Sequence, residues 1–253
     1  DTEREMDILR EVHHAQVFRL LAQDLSGLQT IERLSDHLTE LADTIVQETL
    51  PLCWSTIKKR HCETPKFAVI GYGKMGGKEL GYASDLDLVY LFDDDAQDAA
   101  ENYTRLGQRL STWLSSQTPA GILFETDLRL RPNGDSGLLA VSVDAFRDYQ
   151  LKNAWVWEHQ ALTRARFCAG DPAVGARFEE IRCEILCLPR DLAKLHEEVV
   201  AMRRKMYDAH ASKSETGFNL KHDAGGIIDV EFIVQYLVLG HAHRHHELTG
   251  NLG

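Results

Sequence analysis

Residues 71–95, GYGKMGGKELGYASDLDLVYLFDDD, decide which fold the chain can adopt. The first six, Gly71 to Gly76, spell G-x-G-x-x-G, and acidic residues at Asp93 to Asp95 follow about twenty positions on, the outline of a dinucleotide-binding turn. That outline requires a stable helix directly after the glycines. Residues 74–84 instead carry Gly76, Gly77 and Gly81, each about 0.8–1 kcal/mol less favourable than Ala in a helix, and show no apolar stripe. It also places Asp85 and Asp87 in a parallel strand covered on both faces, where unpaired carboxylates are costly. The dinucleotide outline thus accounts for the glycines and leaves the carboxylates unexplained.

A metal-dependent phosphate site accounts for both. Side chains two apart in a strand face the same way, so Asp85 and Asp87 share one face while Leu86 and Leu88 point into the core. Two like charges ~6–7 Å apart persist most readily with a divalent cation between them. Mg²⁺ fits, because it prefers a few carboxylates and shares its other positions with water and nucleotide phosphates. The glycine turn, through Gly73, Gly76 and Gly77, then offers backbone N–H groups to those phosphates, with Lys74 or Lys78 nearby.

A third carboxylate is expected from a neighbouring strand. In GILFETDLRLRP, residues 121–132, alternation puts Ile122, Phe124, Thr126, Leu128 and Leu130 on one face and Glu125, Asp127, Arg129 and Arg131 on the other. Asp127 is the expected metal ligand or general base, with Glu125 as its rival, and Arg129 and Arg131 are placed to steady triphosphate charge. A solvated, charged strand edge is the simpler account of that face in isolation; beside Asp85 and Asp87 the chemical account is preferred.

Around this centre the pattern reads as helices, a small sheet, then helices. Ile8, Val12, Ala15, Phe18, Leu21 and Leu25 mark the stripe of a first helix; Ser35 is placed to cap a second, carrying Leu38, Leu41 and Ile45. Strands are expected over Lys66 to Ile70, Leu86 to Phe92, Ile122 to Leu130 and Gly137 to Ser142, with a helix through Tyr103, Leu106, Leu110 and Trp113 that stops before Pro119. From about residue 143 the signals are helical almost throughout, through Leu192 to Met206 and Gly226 to Leu239. The expected fold is α+β: a helical segment over 1–60, a small mixed-sheet domain over 61–150, and a C-terminal helical region over 151–253 that reads as truncated.

Composition narrows the function. Among 253 residues 43% are hydrophobic, enough for real cores, and the net charge of −11 argues against a nucleic-acid surface. Five cysteines without metal-like pairing read as reduced thiols. No apolar run approaches the ~20 residues of a membrane span, and no signal peptide opens the chain, so a cytoplasmic protein is expected. The start at Asp1 without Met and the stop at ELTGNLG directly after a helical pattern lead us to expect a piece of something longer. Several weaker features have plain structural accounts: AWVWEHQALTRAR as a helix packed on the sheet, with Arg164 or Arg166 touching nucleotide as the sharper alternative; HAHRHHE as a solvated helix end; Asp93 to Asp98 as an exposed acidic loop.

The glycine turn, the apolar-flanked D-x-D and the later Asp127 resemble the DNA polymerase β-type nucleotidyltransferase superfamily. Gly73-Lys74 stands where that superfamily has Gly-Ser or Gly-Gly, which leaves Ser84 as the serine for a phosphate contact. GYGKMGGKELGYASDLDLVYL, DLRLRPNGDSGLL, AWVWEHQALTRAR and FNLKHDAGGIIDVEFIVQYLVL together are similar to the bacterial glutamine synthetase adenylyltransferase family. The resemblance implies a regulator of nitrogen metabolism with two related halves, one attaching AMP from ATP to a tyrosine of glutamine synthetase and one removing it by phosphorolysis. GYASDLDL, WEHQAL and Asp229 in GGIIDVEF resemble the C-terminal, attaching half. Asp85, Asp87 and Asp127 are then the catalytic and metal-binding set, Mg²⁺ the cofactor, and glutamine synthetase the partner. The resemblance also implies the signalling protein PII and glutamine as regulators of the whole enzyme. The removing activity, or a non-catalytic module binding PII or glutamine, are the alternatives.

Overall fold

The computed structural model describes residues 2–212 and 217–250. Among them the architecture is α+β, with helices around one five-stranded mixed sheet. In chain order the elements are α1 (Thr2–Leu25), α2 (Ile31–Ser55), β1 (Phe67–Gly71), α3 (Gly73–Gly76), β2 (Leu86–Phe92), α4 (Ala99–Ser115), β3 (Thr126–Asp127) and β4 (Ala140–Ser142). There follow α5 (Val143–Lys152), α6 (Val156–Leu162), β5 (Arg166–Gly170), α7 (Pro172–Leu186), α8 (Leu192–His210) and α9 (Ile227–His241). The chain forms two compact units. One holds the residues up to Tyr149 together with Arg164–Glu179; the other holds Gln150–Thr163 and the described residues from Glu180 onward.

The first unit contains the whole sheet, in the order β3-β2-β1-β5, with β4 also pairing β2. β1 and β2 run antiparallel, Phe67 opposite Phe92 and Gly71 opposite Leu88. This pairing excludes the dinucleotide outline, whose first two strands are parallel and joined by a packed helix. After Gly71 the ladder continues by one bond, the Tyr72 N–H donating to the Asp87 carbonyl at 2.9 Å, which pins the glycine turn beside Asp87. β3 pairs with the first residues of β2 in parallel and β4 with its last three, so both use one edge of the same strand.

One face of the sheet, Phe67 and Val69 from β1 with Leu86, Leu88 and Tyr90 from β2, packs with α2 (Ala42, Ile45, Val46) and α4 (Leu106, Leu110, Leu114) in a single apolar cluster. Burying such side chains stabilises by roughly 1.5–3 kcal/mol each. β2 is buried along its length except at Asp87, and Asp85 just before it is exposed.

Four expectations are corrected. The strand over 122–130 shrinks to Thr126–Asp127, because Arg131 turns inward to donate to the Leu128 carbonyl at 2.6 Å and the chain enters a turn through Asn133, φ 62°. The segment after 143, expected to be helical almost throughout, also supplies a strand to the sheet: Arg166–Gly170 is β5, antiparallel to β1. The second helix is capped by Thr30 rather than Ser35, which lies inside α2. On α1 the stripe through Ile8, Val12, Phe18 and Leu25 faces solvent, while the buried side chains are Arg10, His13 and Leu20. Arg10 explains this reversal. Its guanidinium donates to the carbonyls of Gly121 (2.8 Å), Trp113 (2.8 Å) and Ser116 (2.7 Å), so a charged side chain anchors the helix by satisfying orphan backbone acceptors.

In the second unit α6, α8 and α9 surround a buried amide pair, Gln160 donating to Gln235 at 2.9 Å. Asp191 caps α8 through the N–H groups of Ala193 and Lys194. Asp229 accepts from the Gly225 N–H at 2.6 Å and pairs with Arg203, closing the glycine turn before α9. No disulfide joins any of the five cysteines. Among the described residues no helix is long and apolar enough to cross a membrane.

Candidate active site

At the start of β2 three carboxylates converge. Asp87 lies directly opposite Asp127 in the parallel β2–β3 pair, and the Leu86 N–H donates to the Glu125 carbonyl at 2.9 Å, fixing that register. Asp85 follows two positions before Asp87 on the same side. Ligand oxygens of Asp85, Asp87 and Asp127 all lie within 4.8 Å of one another. Strand alternation thus aligns the first two, and the two-residue β3 delivers the third.

The cluster is electrostatically uneven. Burial, then the charges of Asp85 and Asp127, push the Asp87 carboxyl up to about 6, with Arg129 and Lys74 opposing. Asp127 is held below the ordinary carboxylate range by Arg129, whose Nε lies 3.0 and 2.9 Å from its two oxygens and whose N–H donates at 2.9 Å. Among the described residues, the side chains of Asp85 and Asp87 have no hydrogen-bond or ion-pair partner. Concentrated charge at a half-buried strand end, with oxygen donors from three carboxylates, suits a hard divalent cation.

Glu125, Arg129 and Arg131 line a cleft of about 580 Å³ together with Asp85 and Asp127. The four residues of the expected face thus line one cleft, but Thr126 and Leu128 of the opposite face line it too, because a loop rather than strand alternation carries the chain beyond Asp127. Arg129 is 74% exposed at its side chain and able to swing; Arg131, at 12%, is committed to the loop's own carbonyls.

The glycine turn is set by packing. Gly73 has φ +51°, and a Cβ there would lie 2.2 Å from Asp87 Oδ2, so glycine is required both by conformation and by the carboxylate against it. Gly76 and Gly77 donate their N–H groups to the Tyr72 and Gly73 carbonyls and are pressed by the backbone and side chain of Arg164. Lys74 is exposed, and Ser84 accepts from the Gly81 N–H at 2.9 Å within its own turn. Arg164 pairs with Glu79, and Arg166 pairs with Asp43 while donating to the Met75 carbonyl. These two arginines brace the turn from behind, a role the helical reading of their segment concealed.

A second group of three potential ligands, His61, Cys62 and Asp94, stands beyond the far end of β2. The acidic loop is therefore not simply exposed. Asp94 accepts from His61 Nε2 at 2.9 Å and from the Tyr103 hydroxyl at 2.8 Å, Asn102 meets His61 Nδ1 at 3.0 Å, and Cys62 donates to the Thr64 carbonyl at 3.2 Å. Asp93 pairs with Arg177.

A mixed-sheet α+β domain that gathers three carboxylates at the start of one strand, with a glycine turn laid against them, is the class these features define. Residues 1–181 match the family model "Glutamate-ammonia ligase adenylyltransferase", and the chain belongs to that family. It is 71% identical over its full length to the bifunctional glutamine synthetase adenylyltransferase/adenylyl-removing enzyme of Aromatoleum aromaticum, covering 27% of that protein. To the proteins of the same name from Nitrosomonas europaea and Chromobacterium violaceum it is 62% and 58% identical, over 99% and 100% of this chain and 27% and 28% of theirs. The chain thus spans about a quarter of the length of these relatives.

Proposed function

We propose that this chain transfers AMP from ATP to a tyrosine hydroxyl of glutamine synthetase, releasing pyrophosphate. The observation that carries the reading is the convergence of Asp85, Asp87 and Asp127 within 4.8 Å. Asp85 and Asp87 would hold Mg²⁺, joined by Asp127 once Arg129 swings toward the triphosphate. The ion, when bound, supplies charge neutralisation and Lewis acidity at the phosphate oxygens. The protein's own groups do the rest. Lys74 and Arg129 attract and orient the polyphosphate, and Gly73 leaves room for the Asp87 carboxylate. Asp127, or Glu125 beside it, accepts the phenolic proton of a group whose ordinary pKa is near ~10. The phenol oxygen bonds to the α-phosphorus as the bond to the β-phosphate oxygen breaks.

The nucleotide chemistry is assigned to residues 61–150 with β5 (Arg166–Gly170) completing their sheet, the helices of 1–60 as support, and the rest of 151–253 as a mainly helical part of a longer, cytoplasmic protein. PII and glutamine would act on that longer protein. The relatives' names carry both attachment and removal, so phosphorolytic removal is the second reading. Incubation with glutamine synthetase, Mg²⁺ and α-labelled ATP should place label on a tyrosine, and EDTA should stop it. ADP formed from AMP-tagged glutamine synthetase and orthophosphate, with no labelling from ATP, reverses the direction.

A further inference from the structure

Beside the carboxylate cleft lies a second cavity of about 310 Å³, which shares Asp85 and Glu125 with it. Its size falls within the range of small-molecule sites, roughly 300–1,000 Å³. The walls are mostly apolar, with Val17 from α1, Leu38 from α2, Leu80 from the glycine loop and Phe124 among them. His13 of α1 also lines it, is only 8% exposed, and its Nδ1 is buried without a hydrogen-bond partner among the described residues. A buried polar atom left unpaired costs roughly 1–3 kcal/mol, and a ligand that satisfies it recovers much of that.

The wall bearing His13 is fixed in place. The imidazole packs edge-on against Phe124 with ring centroids 4.7 Å apart, and Arg10, one turn earlier, ties α1 to the carbonyls of Trp113, Ser116 and Gly121. His14 approaches the Ile122 carbonyl at 3.0 Å. Burial keeps His13 neutral at physiological pH, its pKa lowered to about 4, so the ring presents one donor and one acceptor. A mostly apolar cavity with a buried, unpartnered imidazole nitrogen in its wall, Tyr82 and Ser84 also lining it, and the carboxylates Asp85 and Glu125 shared with the neighbouring cleft, suits a heteroaromatic base. The acceptor phenol fits it less well: its single polar atom is the reacting one, which leaves a polar wall group without a partner. A tyrosine on a protein surface is better served by the wider cleft flanked by exposed Arg129.

We infer that this cavity receives the purine base of the nucleoside triphosphate, with His13 reading its polar edge. The inference rests on the nucleotidyl-transfer reading of Asp85, Asp87 and Asp127, and the test separates the two. Calorimetry of the chain with Mg²⁺ compares ATP with inorganic tripolyphosphate, which carries the phosphates without the base. ATP should bind more tightly. His13→Phe, which keeps a ring on Phe124, and Val17→Trp, which fills the cavity, should each weaken ATP about tenfold and tripolyphosphate less than twofold. In the unsubstituted chain, 8-azido-ATP should crosslink into the segments bearing His13 or Phe124. Equal affinity for the two ligands, equal losses in the variants, unchanged ATP affinity, or crosslinking only elsewhere overturns the base site and leaves the metal site standing. Failure of both ligands to bind with Mg²⁺ overturns the nucleotidyl-transfer reading and this inference with it.

Discussion

The two ends of β2 treat a half-buried aspartate in opposite ways. Just past the C-terminal end, Asp94 sits among donors: His61, Tyr103 and the Ala96 N–H. Burial alone would raise its carboxyl, but these bonds hold it down to about 2. At the N-terminal end, Asp87 meets burial and two further carboxylates and is pushed up to about 6. One end is a finished polar network that joins the loop before β1 to α4. The other is left with unanswered charge, the arrangement expected where a protein stabilises a ligand at the expense of its own fold.

The largest effect should come from breaking the unanswered end. Asp87→Asn should reduce Mg²⁺-dependent labelling of glutamine synthetase from α-labelled ATP by at least about 10²–10³-fold, with the circular-dichroism spectrum unchanged. Normal labelling by this variant would show that the carboxylate cluster is not the reacting centre.

Breaking the finished end should instead cost stability. Asp94→Ala leaves the His61 N–H and the Tyr103 hydroxyl without their acceptor, a loss of roughly 2–4 kcal/mol. Urea unfolding should report it as a lower midpoint at unchanged m, while labelling at a temperature where the variant is folded stays within about twofold. A variant as stable as the parent would mean the network is not holding the loop.

The smallest effect is a pH signature of opposite sign at the two ends. Asp87 has its folded pKa above the ordinary 3.8, so its charge disfavours the metal-free fold above about pH 6, and that penalty is relieved as pH falls through 6 toward 4. Asp94 has its folded pKa below 3.8; the stability it contributes is complete above that value and lost as pH falls toward 2. Asp87→Asn should therefore stabilise the metal-free chain by on the order of 1–2 kcal/mol at pH 8 and by almost nothing at pH 4. Equal stabilisation at both pH values would place the gain in packing rather than charge.

Local pattern made the centre of the site legible. The position of Asp85, Asp87 and Leu86 depends only on alternation in one strand, and Gly73 announces a turn that no other residue adopts easily. Asp127 was reachable because it sits on the one pair of residues in its segment that does form a strand. Alternation failed beyond it, since Arg131 found backbone acceptors nearby and the strand stopped. The orientation of α1 was out of reach, because its inward face carries Arg10, whose guanidinium reaches carbonyls more than a hundred residues away, and His13, which packs on Phe124. β5 was hidden for a related reason: Arg166–Gly170 has too few residues to outweigh the helical signals around it and forms against an edge that β1 offers.

What the sequence by itself determined is the inventory of the candidate site: a glycine turn, two carboxylates at the start of one strand and a third on a later segment. These follow from short-range rules of backbone conformation and side-chain direction. The tertiary structure alone decided how that inventory is charged and enclosed. Asp87 becomes a reluctant anion only when burial and Asp127 meet it, and His13 becomes a wall of the neighbouring cavity only when Arg10 has fixed α1. Both depend on groups distant in sequence being brought within a few ångströms in a medium that no longer screens them.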